Sequence, residues 1–290
     1  VTGAYQDKNE VSKDRVVFGA NSIDDSEQTN IKFKAAYDIT PTIKAAYTLG
    51  VWNLDSKTEV ESYVKDAAGN AVYNGRVNFN GQRYDISAMS PAEADSIHIM
   101  QALDVKSNTK GFFDWQLTLS DYDFHQDKNS FSNAPTGGTI ADGNPYLNRV
   151  GRVTDQEGTG WTVFDARATL RPQTNYSGQH TIDIGYHVDQ YELRSETNDT
   201  ADWTKGSKGK LFSSAQGETR TQALYAQDKW QLNPQWALTF GGRTEYWQAI
   251  NGQNQITIGA ALNTANYQDA SVNKFSPKVS LSFEPLPEWG

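Results

Sequence analysis

Apolar and polar residues alternate one by one along this chain in about ten separate stretches. Period two puts successive side chains on opposite faces of a β-strand. The clearest unit is residues 219–247, TRTQALYAQDKWQLNPQWALTFGGRTEYW. Its second half places Trp236, Leu238, Phe240 and Gly242 on one face and Thr239, Gly241, Arg243 and Glu245 on the other. The same alternation predicts strands over 1–8, 28–39, 43–53, 98–106, 111–122, 160–171, 178–193 and 274–284, beside the two within 219–247. These strands average about 11 residues, the length that crosses a hydrocarbon core at a tilt.

The connections alternate as strictly as the strands. Tight turns fall at Thr40-Pro41-Thr42, Asn108-Thr109-Lys110, 172–177 and Asn233-Pro234. Long polar stretches fall at 54–96, 123–159, 194–218 and 249–273. The first of these carries turn signals at Ala68-Gly69-Asn70 and Asn80-Gly81, and a small hairpin pairing 61–64 with 71–73 is expected there. Short turns at one end and long loops at the other are what a transmembrane β-barrel needs. The row Asp183, Gly185, His187 and Asp189 cannot face lipid, where an unpaired charge costs roughly 2–4 kcal/mol at mid-depth. The expected fold is therefore all-β: about ten meander strands of an antiparallel transmembrane barrel. If Phe113, Leu117, Ile184 and Phe240 gathered in a closed apolar centre instead, this reading would be overturned.

Composition is consistent with that picture. Mean hydropathy is −0.68, and no run of residues has the length and apolarity of a membrane-crossing helix. Barrel strands are apolar on one face only and average out as hydrophilic. The aromatic content of 12 %, with 8 Trp, 14 Tyr and 12 Phe, fits interfacial girdles. There is no cysteine, so disulfides and thiolate chemistry are excluded. A net charge of −9 argues against nucleic acid as a partner. The chain begins at Val1 with no signal peptide and stops just after Pro285 and Pro287, so it is expected to be an internal piece of a longer protein.

The segment 224–247, LYAQDKWQLNPQWALTFGGRTEYW, resembles the family of TonB-dependent outer-membrane receptors. The family's hairpin carries Tyr-x-Gln-Asp and then Leu-x-x-Gly-x-Arg, matched here by Tyr225, Gln227, Asp228, Leu238, Gly241 and Arg243. The run Phe275-Ser276-Pro277-Lys278-Val279 is similar to the family's next strand. The motifs cover 219–284, and the rest of the chain shares only the architecture. The resemblance implies a 22-stranded barrel in the outer membrane of a Gram-negative bacterium. All of 1–290 would belong to that one barrel domain, with the N-terminal plug and remaining strands outside this chain. It further implies active uptake of a scarce nutrient, most readily a ferric siderophore. Partners would be outer-membrane lipid and lipopolysaccharide, the receptor's own plug, the TonB complex reached through it, and a small-molecule chelate. A general porin or other barrel without TonB coupling is the alternative, and a soluble β-sandwich binding module is a weaker one.

No catalytic constellation is present, and neither enzyme activity nor a cofactor is expected. His98, His125, His180 and His187 show no metal-ligand spacing. Asp121, Asp123, His125 and Asp127 alternate like a metal-lined rim, but they lack the turn glycine and closing Glu of a calcium loop, so no metal site is assigned. By parity Lys44, Asp165, Arg167, Asp183, His187, Asp189, Arg243 and Glu245 face the lumen, where they would form ion pairs and meet a plug. The ligand-capture candidates are the loop aromatics and cations: Tyr63, Tyr73, Arg83, Tyr84, Phe131, Tyr146, Arg149, Trp203, Lys205, Lys208, Lys210 and Phe212. Stacking and Lys or Arg contacts suit an anionic, partly aromatic chelate.

Overall fold

The computed structural model describes residues 2–11, 20–62, 64–72, 75–79, 81–86, 90–133, 149–172 and 178–285. These form β1 (Thr2–Val11), β2 (Ala20–Thr40), β3 (Ile43–Ser62), β4 (Gly75–Phe79), β5 (Gln82–Ile86), β6 (Ala92–Ser107), β7 (Phe113–Ser132), β8 (Gly151–Asp155), β9 (Gly160–Leu170), β10 (Gln179–Thr200), β11 (Leu211–Gln231), β12 (Trp236–Ile258), β13 (Ala261–Asn266) and β14 (Ala270–Phe283). A 3₁₀ turn, Trp203–Lys205, joins β10 to β11. All described pairings of the main sheet are antiparallel, and the sheet is a meander. β8 and β9 both pair with β7 and β10, so they are one stave interrupted at 156–159. β13 and β14 divide the face of β12 in the same way. Ten staves result, and β4–β5 stand apart as a small hairpin.

The staves are longer than the expected strands. β2, β3, β7, β10, β11 and β12 run 21, 20, 20, 22, 21 and 23 residues, not about half that. Much of each expected long loop is strand. At about 3.3 Å per residue such staves reach roughly 70 Å, more than twice a hydrocarbon core. Their outer halves pass through polar stretches such as Asp24-Asp25-Ser26-Glu27-Gln28, where both faces meet water. The hairpin expected at 61–73 is present in its described part as a bridge of Lys65 with Ala71 and a Val72-to-Val64 backbone bond of 2.8 Å, around a turn at Gly69, whose φ is 87°; residues 63 and 73 lie outside the described residues. Gly81, φ 78°, turns β4 into β5.

Register explains the two faces. One row reads Tyr37, Ala45, Val105, Leu117, Ala166, Tyr186, Leu224, Thr244 and Phe275, each residue directly opposite the next. This face is apolar and outward: Phe113, Leu117, Ile184 and Phe240 are 47 %, 43 %, 46 % and 44 % exposed. They do not form a closed centre. Burying such a face against acyl chains is the favourable solution for a sheet with water on its other side. The matching polar row reads Lys44, Lys106, Gln116, Arg167, Gly185, Tyr225, Arg243 and Ser276. Trp115, Trp230 and Trp236 sit on the apolar face near the tight turns, Trp236 packing on Phe283 at 4.3 Å, as an interfacial girdle would. Trp52, Trp161 and Trp247 belong to the polar face, so the girdle accounts for only part of the tryptophan content.

Candidate functional site

The polar face has two tiers. The lower tier, toward the tight turns, is a belt of charges tied mostly across strands and, for Arg243 with Glu245 and His187 with Asp189, along one. Arg167 donates to Gln116 at 2.7 Å, and Gln116 donates to Asp104 at 2.5 Å. His187 bonds Asp165 at 2.8 Å and lies 3.8 Å from Asp189. Asp183 accepts from Thr169 at 2.6 Å and from Gln227 at 3.2 Å, and Lys278 donates to Gln227 at 3.2 Å. Arg243 pairs with Glu245 at 2.6 Å, and Lys44 lies 3.9 Å from Asp38. Every cross-strand partner is at i-to-j spacing that the register dictates. Lys44 stands directly opposite Lys106, so this corner of the wall keeps a local excess of positive charge.

The upper tier is aromatic. Tyr122 stacks on Trp161 with centroids 4.4 Å apart and 6° between planes, and Trp161 approaches Tyr191 at 6.4 Å. One rung higher His98 stacks on Phe124 at 3.9 Å and leans on Trp52 at 4.8 Å. His98 is buried and doubly held, by Asp127 at Nε2 (2.8 Å) and Tyr122 Oη at Nδ1 (2.9 Å). If Nε2 donates to the carboxylate, Nδ1 is left to accept the phenol proton. A register shift at Ile97/His98 makes this possible: it brings both Phe124 and Asp127 onto the face that carries His98. The band spans β3, β6, β7, β9 and β10.

None of these six rings is among the ligand candidates that the sequence offers, His98 entering there only as a histidine without metal-ligand spacing, although the signal is present. The parity that sets Asp114, Gln116, Thr118 and Ser120 on the polar face continues to Tyr122. The parity that turns Val51 outward turns Trp52 inward. An aromatic at a polar-parity position has no lipid to meet.

The residues selected as ligand candidates are placed differently from one another. Tyr63, Tyr73 and Tyr146 lie outside the described residues, and Arg83 and Tyr84 fall on β5. Phe131 lies opposite Arg152 on the polar face, and Arg152 sits 3.2 Å over the Phe212 ring. The 201–210 segment instead folds over the lipid-side face of β7 and β8. Trp203 is 3 % exposed and packs against Gly151, leaving no ring for a ligand. Lys208 bonds Asp155 at 2.6 Å on the outward face. Burial opposes ionisation of Asp155, but the Lys208 bond, the Glu157 amide and the nearby Lys128 charge together outweigh it and hold the carboxyl below its ordinary value, while the bond to Asp155 raises Lys208. Arg149 donates to Thr204 at 2.8 Å, and Lys205 pairs with Asp202 at 3.6 Å. Lys210 is exposed. Asp121 and Asp123 face outward while Asp127 faces His98, so the alternating carboxylates do not converge, and among the described residues no group fit for a metal occurs.

Residues 37–290 match the family described as TonB dependent receptor-like, beta-barrel. The chain belongs to this family of transport receptors, which reside in the outer membrane of Gram-negative bacteria. No curated protein matches it in sequence. Among solved structures it is similar to the ferripyoverdine receptor of the outer membrane of Pseudomonas aeruginosa bound to ferripyoverdine, with 15 % identity and a TM-score of 0.50 over 97 % of this chain and 35 % of that one. The P. aeruginosa FpvA complex with a heterologous pyoverdine gives 14 % identity and a TM-score of 0.51, over 98 % and 36 %. The FpvAI–pyocin S2 complex gives 14 % and 0.50, over 98 % and 35 %. At this identity the likeness concerns the fold. The chain spans about a third of those chains' length.

Proposed function

We propose that these ten staves are barrel wall of a receptor that actively imports a ferric siderophore. Energy would come from the TonB complex through a plug seated within the barrel. The observation that carries this is the two-tiered polar face: an aromatic band on the side of the long staves, above a belt of paired charges. Stacked rings along the wall give a solute apolar faces to lie on, which a pore passing only water and small ions does not need. A receptor that must capture a bulky, partly aromatic chelate does. The charged belt, most of whose groups are already satisfied by cross-strand partners, suits a wall against which a polar domain rests and slides. Lys44 and Lys106, directly opposed, would meet acidic groups of that plug.

The test is radiolabelled iron uptake by iron-starved cells whose sole receptor is the full-length protein containing this chain. Iron should accumulate from a ferric siderophore, and deletion of TonB should abolish the accumulation. Uptake that persists without TonB would leave a simple diffusion pore as the better reading. Import of cobalamin, haem or an oligosaccharide, with no ferric chelate accepted, would remove the iron assignment.

A further inference from the structure

The aromatic tier contains a recess of about 390 Å³ lined by Asn30, Gly50, the Val51 backbone, Trp52, His98, Met100 and Tyr122. We propose that this recess receives a flat aromatic group of the transported ligand, an arene or heteroarene arm rather than a sugar or a charged head. The proposal rests on reading the polar face as the import path, and it names what that path recognises.

Gly50 and Met100 meet at the base of the recess. Gly50 lies between Lys32 and Met100 in register, on the rung that continues through Tyr122 and Trp161. A Cβ built there would press on Met100 Cε at 3.3 Å, so the flexible thioether lies across the glycine and forms the floor. The walls do not collapse into the space. Trp52 leans on His98, His98 is fixed from two sides by Asp127 and Tyr122 and stacked on Phe124, and Tyr122 is backed in parallel by Trp161. The volume falls in the range of small-ligand sites.

The lining selects the chemistry. Trp, Tyr and a Met thioether favour the face or edge of another π-system. A sugar would need a ring of free donors and acceptors around the platform. Here the polar atoms of His98 and the Tyr122 hydroxyl are already engaged with each other and with Asp127, which leaves the Asn30 amide and the Trp52 indole N–H, too few for a sugar's hydroxyls. The lining itself offers a charged head no counter-charge, and Lys32, opposite Gly50 in register, stands beside the recess rather than in it.

The experiment uses the full-length receptor in detergent micelles and two iron-free probes: 2,3-dihydroxybenzamide, which is aromatic, and acetohydroxamic acid, which is not. Saturation-transfer NMR reads which probe touches the protein. Ring protons of the benzamide should receive saturation from the wild type. Gly50→Phe, which fills the floor, and Trp52→Ala, which removes a wall, should each weaken that binding by about tenfold. Tyr122→Phe keeps the ring and should retain most of it. Heat-shifted gel mobility checks that each variant is a folded barrel, and Trp52→Ala reads the same recess if Gly50→Phe fails to fold. Benzamide binding unchanged in a folded Gly50→Phe or Trp52→Ala receptor, absent in the wild type, or matched by acetohydroxamic acid overturns the proposal. Because the probes carry no iron, a receptor that imports no ferric chelate yet binds the benzamide at this site would sink the import reading alone.

Discussion

Gly185 shows how a single absent side chain organises the polar wall. It stands directly opposite Tyr225, and a Cβ built on it would fall inside the phenol ring. The tyrosine therefore lies flat across the β10–β11 seam, where a larger neighbour would force it upright. Its partners in the same row are Arg167 and Arg243, so the ring also separates two guanidinium groups along the belt. Glycine inside a strand is costly in isolation, and here the ring covers the backbone that it leaves bare. Gly185→Val should destabilise the folded barrel by about 1–3 kcal/mol through overpacking. In a Tyr225→Ala background the same substitution should cost markedly less. Urea midpoints of the full-length receptor refolded in phospholipid vesicles measure both, and equal penalties in the two backgrounds would dismiss the packing explanation.

At the scale of the element, β10 and β11 carry an exception to their own pattern. Asp228, the acid of the Tyr-x-Gln-Asp motif, sits on the apolar face directly between Ile182 and Phe240. His180 bonds one oxygen at 2.7 Å and stacks on Trp230 at 5.2 Å. The other oxygen is buried without a hydrogen-bond partner. Removing His180 would strand the carboxylate beside lipid. His180→Ala should then cost about 1–3 kcal/mol, while the double variant His180→Ala/Asp228→Leu should recover most of the loss. A double-mutant cycle of unfolding midpoints in vesicles gives the coupling, and additive effects would mean that the pair is incidental. This exception could not be read from periodicity, which expects an apolar residue at that position. What periodicity did recover were the membrane-crossing halves of the staves, because there one face meets lipid and the other does not. It lost the outer halves, such as 24–27 in β2 and 251–255 in β12, because with water on both sides nothing enforces an alternation. The ladder of backbone hydrogen bonds continues through them regardless of side chain. The aromatic recess was missed for a related reason: its rings follow the right parity but are apolar, and apolarity alone points to the lipid side.

Over the whole molecule, the charge of −9 and the apolar surface are segregated by height. The lipid-side wall is apolar from the tight turns up to Ile31, Val51, Leu119 and Val188. Above that line the same wall turns acidic: Glu27, Asp55 and Asp95 stand directly opposite one another, and the row closes through Lys128, Asp155 and Glu196. Like charges in direct cross-strand contact repel, so this row is tolerable only in water and salt, outside the bilayer. The sheet's sides tell the same story in the perpendicular direction. It ends at β1 and at β14, and β14 is exposed along its entire length, with Phe275 at 69 % and Val279 at 77 %. An uncovered strand edge and a contiguous apolar wall each drive association in water. Residues 1–290 expressed alone, without detergent, should therefore sediment as aggregate. The same chain in the full-length receptor should extract as a folded, heat-modifiable barrel. Light scattering during refolding separates the outcomes. A clear, monodisperse solution of the isolated chain would mean that the apolar rows have found cover from one another, and the assignment of that wall to lipid would have to be withdrawn.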